Sequence, residues 1–209
     1  MTITIFGSTG RSGQYLVQQA LALGYEVTAF ARSPEKLDPF EDRIRIVKGD
    51  LEDAAAVEDA VANADAVLSV LGATENVPEY QITRGTGHLL AAMEKHGVRR
   101  LIISAGAGVS DPNDEPTVVN RAINVLLKLF SRHVYEDMKR TVELVRASDV
   151  AWTIVRVPRL TDGEASGDIK VGYVGKGMGM SVRRGDLAAF MLQQVQSDAY
   201  VRQAPAISN

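Results

Sequence analysis

The sequence predicts an α/β fold in which a doubly wound parallel sheet carries helices on both faces. Short apolar runs alternate with amphipathic segments along the 209 residues, as they do in repeated βα units. The runs are nearly continuous in apolar residues, which is typical of parallel strands that are covered on both sides. Cysteine is absent and the net charge is −3. Disulfides and thiolate chemistry are therefore excluded, and a nonspecific grip on nucleic acid is disfavoured.

The alternation predicts the elements in order. Strands are expected over 2–6, 26–31, 44–47, 66–71, 100–104 and 151–156. Helices are expected over 11–23, 53–62, 79–97 and 133–148, with Gly24 and Gly97 just past two helix ends, where a left-handed residue ends a helix. A last helix over 186–196 is expected to be capped by Asp186. We interpret residues 1–209 as one domain in which 160–209 form a small C-terminal extension.

The first strand runs into a glycine-rich turn, which consists of Gly7, Ser8, Thr9, Gly10, Arg11, Ser12 and Gly13. Gly7 permits a sharp turn off the strand, and Gly10 leaves no side chain between the backbone N–H groups and a phosphate. Gly13 lets the following helix pack close to the sheet. The turn stands between a strand and a helix, inside a βαβ unit of about thirty residues. This context predicts a pyrophosphate site for a dinucleotide rather than a turn without a ligand.

The end of the second strand distinguishes the two nicotinamide dinucleotides. An acidic residue there would bind the ribose hydroxyls and repel a 2′-phosphate. This chain has Arg32 and Ser33 instead, with Lys36 a turn further on and Arg11 in the glycine-rich turn. Clustered cationic donors favour NADP(H). The alternative is an ordinary basic surface patch.

Two further strand ends are predicted to reach the cofactor. Asp50 and Leu51 follow the third strand, where a carboxylate could accept the adenine amino group. Leu71 and Gly72 follow the fourth strand and bring bare backbone towards the nicotinamide half. Both pairs stand at the carboxyl ends of strands, where open parallel sheets bind ligands.

Two stretches, 105–132 and 161–180, depart from the alternation. Asp111, Asn113 and Asp114 lie in a loop that lacks the glycine and the terminal glutamate of a calcium loop, so we interpret them as solvated turn residues. Apolar residues of 117–130 recur at helical spacing and form core packing, a lid over the substrate or a subunit contact. A hairpin turn is predicted over 175–179 in the glycine-rich second stretch.

Several motifs carry a resemblance that runs essentially end to end. Segments 7–13, 49–51, 97–101 and 152–158 resemble the atypical short-chain dehydrogenases of the NmrA-like class. Within that class, 159–163 with Gly167 and 184–188 resemble the flavin reductase and biliverdin IXβ reductase branch. The resemblance implies a Rossmann fold, NADPH as the hydride donor and a planar conjugated acceptor such as a flavin, quinone or tetrapyrrole.

The resemblance also implies residue roles. It gives phosphate binding to Thr9 through Gly13, 2′-phosphate binding to Arg32 and Lys36, and adenine contact to Asp50 and Leu51. The positions that it places beside the nicotinamide are Leu71, Gly72, Ser104, Pro158, Arg159 and Leu160. Val157 stands where that branch often has the first of two prolines.

Tyr135 and Lys139 are candidate catalytic residues, because they are four apart on a predicted helix and share a face. In typical short-chain dehydrogenases such a tyrosine is the acid/base, and the lysine lowers its pKa and binds the ribose. Ser104 stands where the accompanying serine would be. The similar branch mostly lacks the tyrosine, and Lys139 is also four before Glu143, so a plain helix contact is the alternative. In the competing mechanism, hydride passes directly to a stacked acceptor and solvent supplies the proton.

The predicted function is an NADPH-dependent oxidoreductase with a small aromatic or quinonoid substrate. One alternative is a non-catalytic NADP(H)-binding sensor, and another is a nucleotide-sugar epimerase or dehydratase, for which little chain follows residue 160. We expect no nucleic-acid, membrane or metal partner, and both monomer and homodimer stay open. No membrane span or signal peptide is recognised, so the cytoplasm is the expected location.

Overall fold

The computed structural model describes residues 1–73, 76–175 and 177–209. Its strands are β1 (Thr2–Phe6), β2 (Glu26–Ala31), β3 (Arg45–Lys48), β4 (Ala66–Ser69), β5 (Arg100–Gly106), β6 (Ala151–Val157), β7 (Arg159–Thr161), β8 (Lys170–Gly172), β9 (Ser181–Arg183) and β10 (Ala206–Ser208). Its helices are α1 (Arg11–Ala22), α2 (Ala54–Val61), α3 (Gln81–His96), α4 (Val118–Phe130), α5 (Arg132–Ala147) and α6 (Arg184–Gln193), with a 3₁₀ helix at Pro34–Arg43.

Over the described residues, eight strands form one sheet in the order β3-β2-β1-β4-β5-β6-β10-β8. The first seven run parallel, and β8 pairs antiparallel with β10 at the edge. The chain winds outward in both directions from β1, so the strand order reverses between β1 and β4. The predicted doubly wound parallel sheet is confirmed. Such a reversal opens a crevice at the carboxyl ends of the strands.

Both faces of the sheet are buried, as the apolar strands predicted. Helices α1 and α6 cover one face, and Ile3, Ile5 and Leu16 lie in the core between these helices and the sheet. Helices α2, α3 and α5 cover the other face, where Phe6 and Leu89 pack. Among the described residues, no helix is both long enough and apolar enough to cross a membrane.

The chain after β6 differs from the prediction. Among the residues that the structure describes, β8 and β9 do not pair with each other: β8 extends the main sheet, whereas β9 pairs in parallel with β7. The predicted turn over 175–179 was therefore wrong as a hairpin, and its Lys176 lies outside the described residues. The strands were misjudged because three-residue strands carry too little pattern to reveal their partners.

Asp186 does not cap α6, since the helix begins at Arg184. Its carboxylate accepts hydrogen bonds from the backbone N–H groups of Ser166 (2.7 Å) and Gly167 (3.0 Å) and from Asn209 Nδ2 (3.0 Å). Burial by itself would raise the pKa of this carboxyl, but the hydrogen bonds from Asn209, Gly167 and Ser166 hold the pKa below its ordinary value. Asp186 thus ties the glycine-rich stretch to α6 and to the end of the chain.

The loop before α4 is also not the solvated turn that was expected. The side chain of Asp114 is only 9% exposed and accepts hydrogen bonds from Arg156 at 2.7 and 2.8 Å and from Val174 N at 3.0 Å. Arg156 belongs to β6 and is fully buried. A guanidinium at that depth requires a charged partner, and Asp114 supplies it across 42 residues of sequence.

Helix α4 forms, but none of its residues is buried. Of the three alternatives for its apolar stripe, core packing is therefore excluded, and a lid and a subunit contact stay open. A capping box between Thr117 and Asn120 starts the helix, and Ser131 follows its last residue.

Candidate functional site

A cleft of about 560 Å³ opens where the strand order reverses. It is lined at the strand ends by Gly7, Ala31, Gly49 and Val70 and continues to the start of α3. Gly7 has φ +79°, and a Cβ there would lie 3.0 Å from the carbonyl carbon of Val70. Only glycine fits this turn, which leads the chain from β1 across the end of β4.

The N-terminus of α1 faces this region without a side-chain cap. Gly10 is the N-cap residue, and its own N–H donates to Gly7 O at 3.0 Å. The N–H groups of the first helical turn have no acceptor within the helix. A Cβ on Gly13 would lie 2.1 Å from Gly7 O, so the turn packs directly on the helix. Free amides and the positive end of the helix dipole together suit an anion such as a pyrophosphate.

Only some of the residues predicted to bind phosphate line the cleft. Gly7, Thr9 and Gly10 line the cleft. Ser8 is fully buried, and its hydroxyl donates to Phe30 O at 2.9 Å, which ties the ends of β1 and β2 together. Arg11 is 73% exposed and lies 3.5 Å from Asp162. Ser12 and Gly13 are in the first turn of α1.

Cationic side chains lie where the carboxyl end of β2 borders the cleft. Arg32, Ser33 and Lys36 all line it. The Arg32 guanidinium is 75% exposed and lies 4.0 Å from the Asp50 carboxylate. Because an exposed pair at that distance is weak, Arg32 remains available to an anionic ligand.

Asp50 and Leu51 form the adjoining wall. Asp50 Oδ1 accepts a hydrogen bond from Glu52 N at 3.0 Å, which fixes the carboxylate at the end of β3. A Cβ on Gly85 would lie 2.6 Å from Leu51 Cβ, so α3 packs closely on Leu51. His88 Nδ1 lies 2.8 Å from Leu51 O. The sequence analysis did not identify Gly85 and His88 as supports of this wall.

Of the residues predicted to lie beside the nicotinamide, Leu71 and Gly72 line the cleft. Ser104 is half-buried on β5, opposite Val155. Pro158 follows β6, and β7 begins at Arg159 and continues with Leu160. The Arg159 N–H donates to Met180 O at 3.3 Å, and its side chain is exposed.

Tyr135 and Lys139 are both on α5, but the structure gives them different surroundings. Tyr135 is 8% exposed, and Lys128 Nζ lies 5.2 Å from its ring centre. Lys139 is half-exposed and forms an ion pair with Glu143 at 3.7 Å. The Gly106 N–H donates to Met138 Sδ at 3.0 Å and holds α5 against the end of β5. In the described part of the chain, the cleft is not lined by Tyr135, Lys139 or Ser104.

Asp137 lines the cleft and was missed. It is 4% exposed, and its carboxylate accepts hydrogen bonds from Ile82 N (3.2 Å), Thr83 N (2.9 Å) and Thr83 Oγ1 (2.6 Å). A residue of α5 therefore caps the start of α3 and fixes the far wall of the cleft. Tyr80, the residue before α3, adopts φ +49° beneath the guanidinium of Arg140 at 4.3 Å. No local sequence signal links these partners.

Two of the curated relatives that the chain matches are named as oxidoreductases. The chain is 29% identical over 186 residues to oxidoreductase ptaF of Pestalotiopsis fici, which covers 81% of this chain and 68% of that protein. It is 25% identical over 164 residues to oxidoreductase AgnL4 of Paecilomyces divaricatus, which covers 70% of this chain. The chain spans only 61% of AgnL4.

Solved structures show the same fold over the whole chain. The oxidoreductase YlbE of Lactococcus lactis has a TM-score of 0.82 at 22% identity, with 91% of that chain covered. ChuY of Escherichia coli, described as an anaerobillin reductase, has a TM-score of 0.78 at 20% identity, with 97% covered. A Veillonella parvula short-chain dehydrogenase/reductase in complex with NADP has a TM-score of 0.79 at 20% identity, with 94% covered. A model of NAD(P)H-binding proteins matches residues 7–198, and the chain belongs to this NAD(P)H-binding family, which confirms the resemblance predicted from its motifs.

Proposed function

We propose that the protein is an NADPH-dependent oxidoreductase that reduces a planar conjugated acceptor such as a flavin, quinone or tetrapyrrole. One observation carries the proposal: the uncapped start of α1, the cations Arg32 and Lys36, and the bare backbone of Gly72 all border the same cleft. These groups match the pyrophosphate, the 2′-phosphate and the nicotinamide half of one cofactor in that order.

NADP(H) is favoured over NAD(H) by charge. The 2′-phosphate is a dianion near neutral pH, and Arg32 offers a planar pair of donors that Lys36 supplements. Asp50 borders the same region, but its side chain is half exposed, so solvent screens its charge. The NADP-bound relative from Veillonella parvula is consistent with this preference.

The residues of this chain are proposed to bind and orient rather than to react. When bound, NADPH supplies a hydride from C4 of its nicotinamide. The amides of α1 would hold its pyrophosphate, and Leu71 and Gly72 would leave the nicotinamide face open to a stacked acceptor. The acceptor gains the hydride together with one proton, and the proton comes from solvent. Proximity and stacking then provide most of the rate.

Tyr135 is the alternative proton donor. The direct route is supported by the absence of Ser104, Tyr135 and Lys139 from the described lining of the cleft. Substituting Tyr135→Phe distinguishes the two routes. We expect turnover to stay within about twofold, whereas loss of a general acid would cost about a hundredfold or more.

Two other functions, a nucleotide-sugar enzyme and a non-catalytic sensor, are to be distinguished from the reductase by experiment. A nucleotide-sugar enzyme would need a sugar-binding lobe, whereas the described residues after β6 form β8 and β10 of the main sheet, the separate pair of β7 and β9, and α6, which covers one face. A non-catalytic sensor would use the same cofactor cleft, so only turnover separates it from the reductase.

The test is to mix the purified protein with NADPH and FMN, a quinone or biliverdin, and to follow absorbance at the nicotinamide band. Oxidation with at least one acceptor is expected. Tight NADPH binding without turnover across the panel would instead identify a sensor. The double variant Arg32→Gln with Lys36→Gln should weaken NADPH binding by about tenfold or more and leave NADH binding nearly unchanged. Arg43→Gln is the matched control, because Arg43 is on the same 3₁₀ helix as Lys36 but does not line the cleft.

A further inference from the structure

Helix α4 has its apolar face turned to solvent. Val118 is 81% exposed, Leu129 71% and Phe130 76%. The half-buried residues of the helix are Asn120 and Asn124, so the polar side of the helix rests on the protein. This is the reverse of an ordinary surface helix, whose apolar stripe faces the core. A contiguous exposed apolar face of this kind marks a contact with something else.

The charges on this segment are all of one sign. Arg121 and Lys128 lie on α4 and Arg132 begins α5, whereas no Asp or Glu occurs from 117 to 135. The chain as a whole has a net charge of −3, so this basic segment stands apart from the rest. On the helix, the two cations fall outside the arc that holds the leucines, valines and phenylalanine. A partner must therefore offer an apolar interior and a negatively charged surface.

We propose that α4 binds the surface of a bilayer that contains anionic lipids and lies in the plane of that surface. Apolar side chains on one face and Lys or Arg on the other are the features of helices that insert into the headgroup region without crossing the membrane. This proposal departs from the expectation of no membrane partner, which was based on the lack of a segment long and apolar enough to span a bilayer. This helix of 13 residues is far too short to span a bilayer and long enough to lie on one.

A second copy of the chain fits the same face less well. The helix is about 20 Å long, and one face of it falls short of the roughly 800 Å² per partner that a stable dimer buries. A second copy would also present the same cations and, from residue 117 to 135, no carboxylate to pair with them.

The position of α4 places a bound membrane next to the cleft. The carbonyl of Phe130 accepts a hydrogen bond from Asn76 Nδ2 at 3.4 Å, and Asn76 directly precedes Val77, which lines the cleft. Asn76 Oδ1 also accepts from the N–H groups of His133 and Val134 at the start of α5. The end of α4 is thus fixed to the rim of the cleft.

The first experiment is co-sedimentation of the full chain with vesicles of phosphatidylcholine alone or of an equal mixture with phosphatidylglycerol. We expect binding to the mixed vesicles that weakens as salt is added. The double variant Leu126→Gln with Leu129→Gln keeps helix-forming residues and should reduce the partition coefficient by about a hundredfold. Leu23→Gln is the matched control, since Leu23 is an exposed leucine at the end of α1.

A second pair of variants tests the charge requirement. Arg121→Gln with Lys128→Gln should weaken binding to the mixed vesicles by about fivefold per cation, and should have little effect with phosphatidylcholine alone. Arg43→Gln with Lys170→Gln removes two exposed cations from elsewhere on the surface and should leave binding unchanged. In F130W, tryptophan emission should shift to shorter wavelength when mixed vesicles are added.

Three results would overturn the proposal. One is no sedimentation with either vesicle, and another is binding that L126Q/L129Q leaves intact. The third is a dimer in analytical ultracentrifugation that L126Q/L129Q converts to monomer, which would assign the apolar face to a second copy. None of these measurements depends on NADPH oxidation. Their failure would leave the proposed reductase function as it stands.

Discussion

The Gly13→Ala variant tests the contact between the glycine-rich turn and α1. An added Cβ would lie 2.1 Å from Gly7 O and 2.7 Å from the Cα and O of Ser8, all of them backbone atoms. Ordinary contact begins at 3.4 Å, so the turn must move away from the helix by about 1 Å or more. Overpacking of this kind costs about 1–3 kcal/mol, and the helix propensity of Ala returns up to about 1 kcal/mol.

We therefore expect Gly13→Ala to lower the free energy of unfolding by about 1–2 kcal/mol, measured by urea denaturation. NADPH binding, measured by fluorescence titration, should weaken by about tenfold or more, because the displaced amides no longer converge on the pyrophosphate. Gly87→Ala is the matched control: Gly87 is inside α3, and a Cβ there meets nothing within 4 Å. The same substitution should raise stability there by about 0.5–1 kcal/mol.

Gly13→Ala is expected to lose stability and Gly87→Ala to gain it, so comparing the two variants tests the contact directly. If both variants gain stability, the 2.1 Å contact at Gly13 is relieved without consequence and the turn is not held as described. If Gly13→Ala loses stability but binds NADPH as the unaltered protein does, the α1 terminus is not where the pyrophosphate binds. The second result would remove the main support for the proposed function.

Three further predictions concern buried polar groups. Asp114→Asn should cost about 3 kcal/mol or more, since it leaves the fully buried Arg156 without its counter-charge. Burial alone would raise the pKa of Asp114, but its hydrogen bonds with Arg156 hold the pKa below the ordinary value of 3.8. The stability that the Asp114 carboxylate contributes is therefore fully present above about pH 4–5 and is lost as the pH falls through its lowered pKa. Urea denaturation midpoints should consequently fall less on acidification for Asp114→Asn than for the unaltered protein. Asp137→Ala should cost about 1–3 kcal/mol by removing the cap of α3, and NADPH should restore part of this loss if the cleft is the binding site. Ser8→Ala should cost about 1 kcal/mol in urea denaturation, because the carbonyl of Phe30 loses its donor, while changing NADPH affinity by less than about threefold.

The sequence predicted the parallel core of the fold because the evidence for each strand is local. Strands β1 to β5 are apolar runs that each lead to a helix or a glycine, and β6 is a seven-residue apolar run of the same kind, so the local pattern reveals each of them. Strands β8 and β10 have three residues each, and β10 is Ala206–Ser208. Nothing in so short a segment indicates that it completes the sheet beyond β6. The partners there are set by the ion pair of Asp114 with Arg156 and by the hydrogen bonds of Asp186, all between residues distant in sequence.

In the candidate site, too, local patterns could be predicted from the sequence, whereas contacts between distant residues could not. Gly7, Gly10 and Arg32 were predicted because the βαβ unit brings consecutive strand ends to one edge of the sheet, and all three line the cleft. Asp137 could not be predicted, since its partner Thr83 is 54 residues away. Ser8 was assigned to phosphate binding by its position in the turn. Its buried hydroxyl is used between β1 and β2, and a motif does not show which of its side chains the fold needs.

Helix α4 shows what hydrophobic periodicity can and cannot predict. A period of 3.6 residues shows which side chains share a face, because this depends only on helix geometry. It does not show what that face meets, because the direction depends on how both ends of the helix are held. In α4 those constraints are the capping box at Thr117 and the bond from Asn76 to Phe130 O, while Asn120 and Asn124 are the half-buried residues of the helix. The free energy still to be gained by burying the apolar face is then available only to a partner, and the cations of the segment favour an anionic partner.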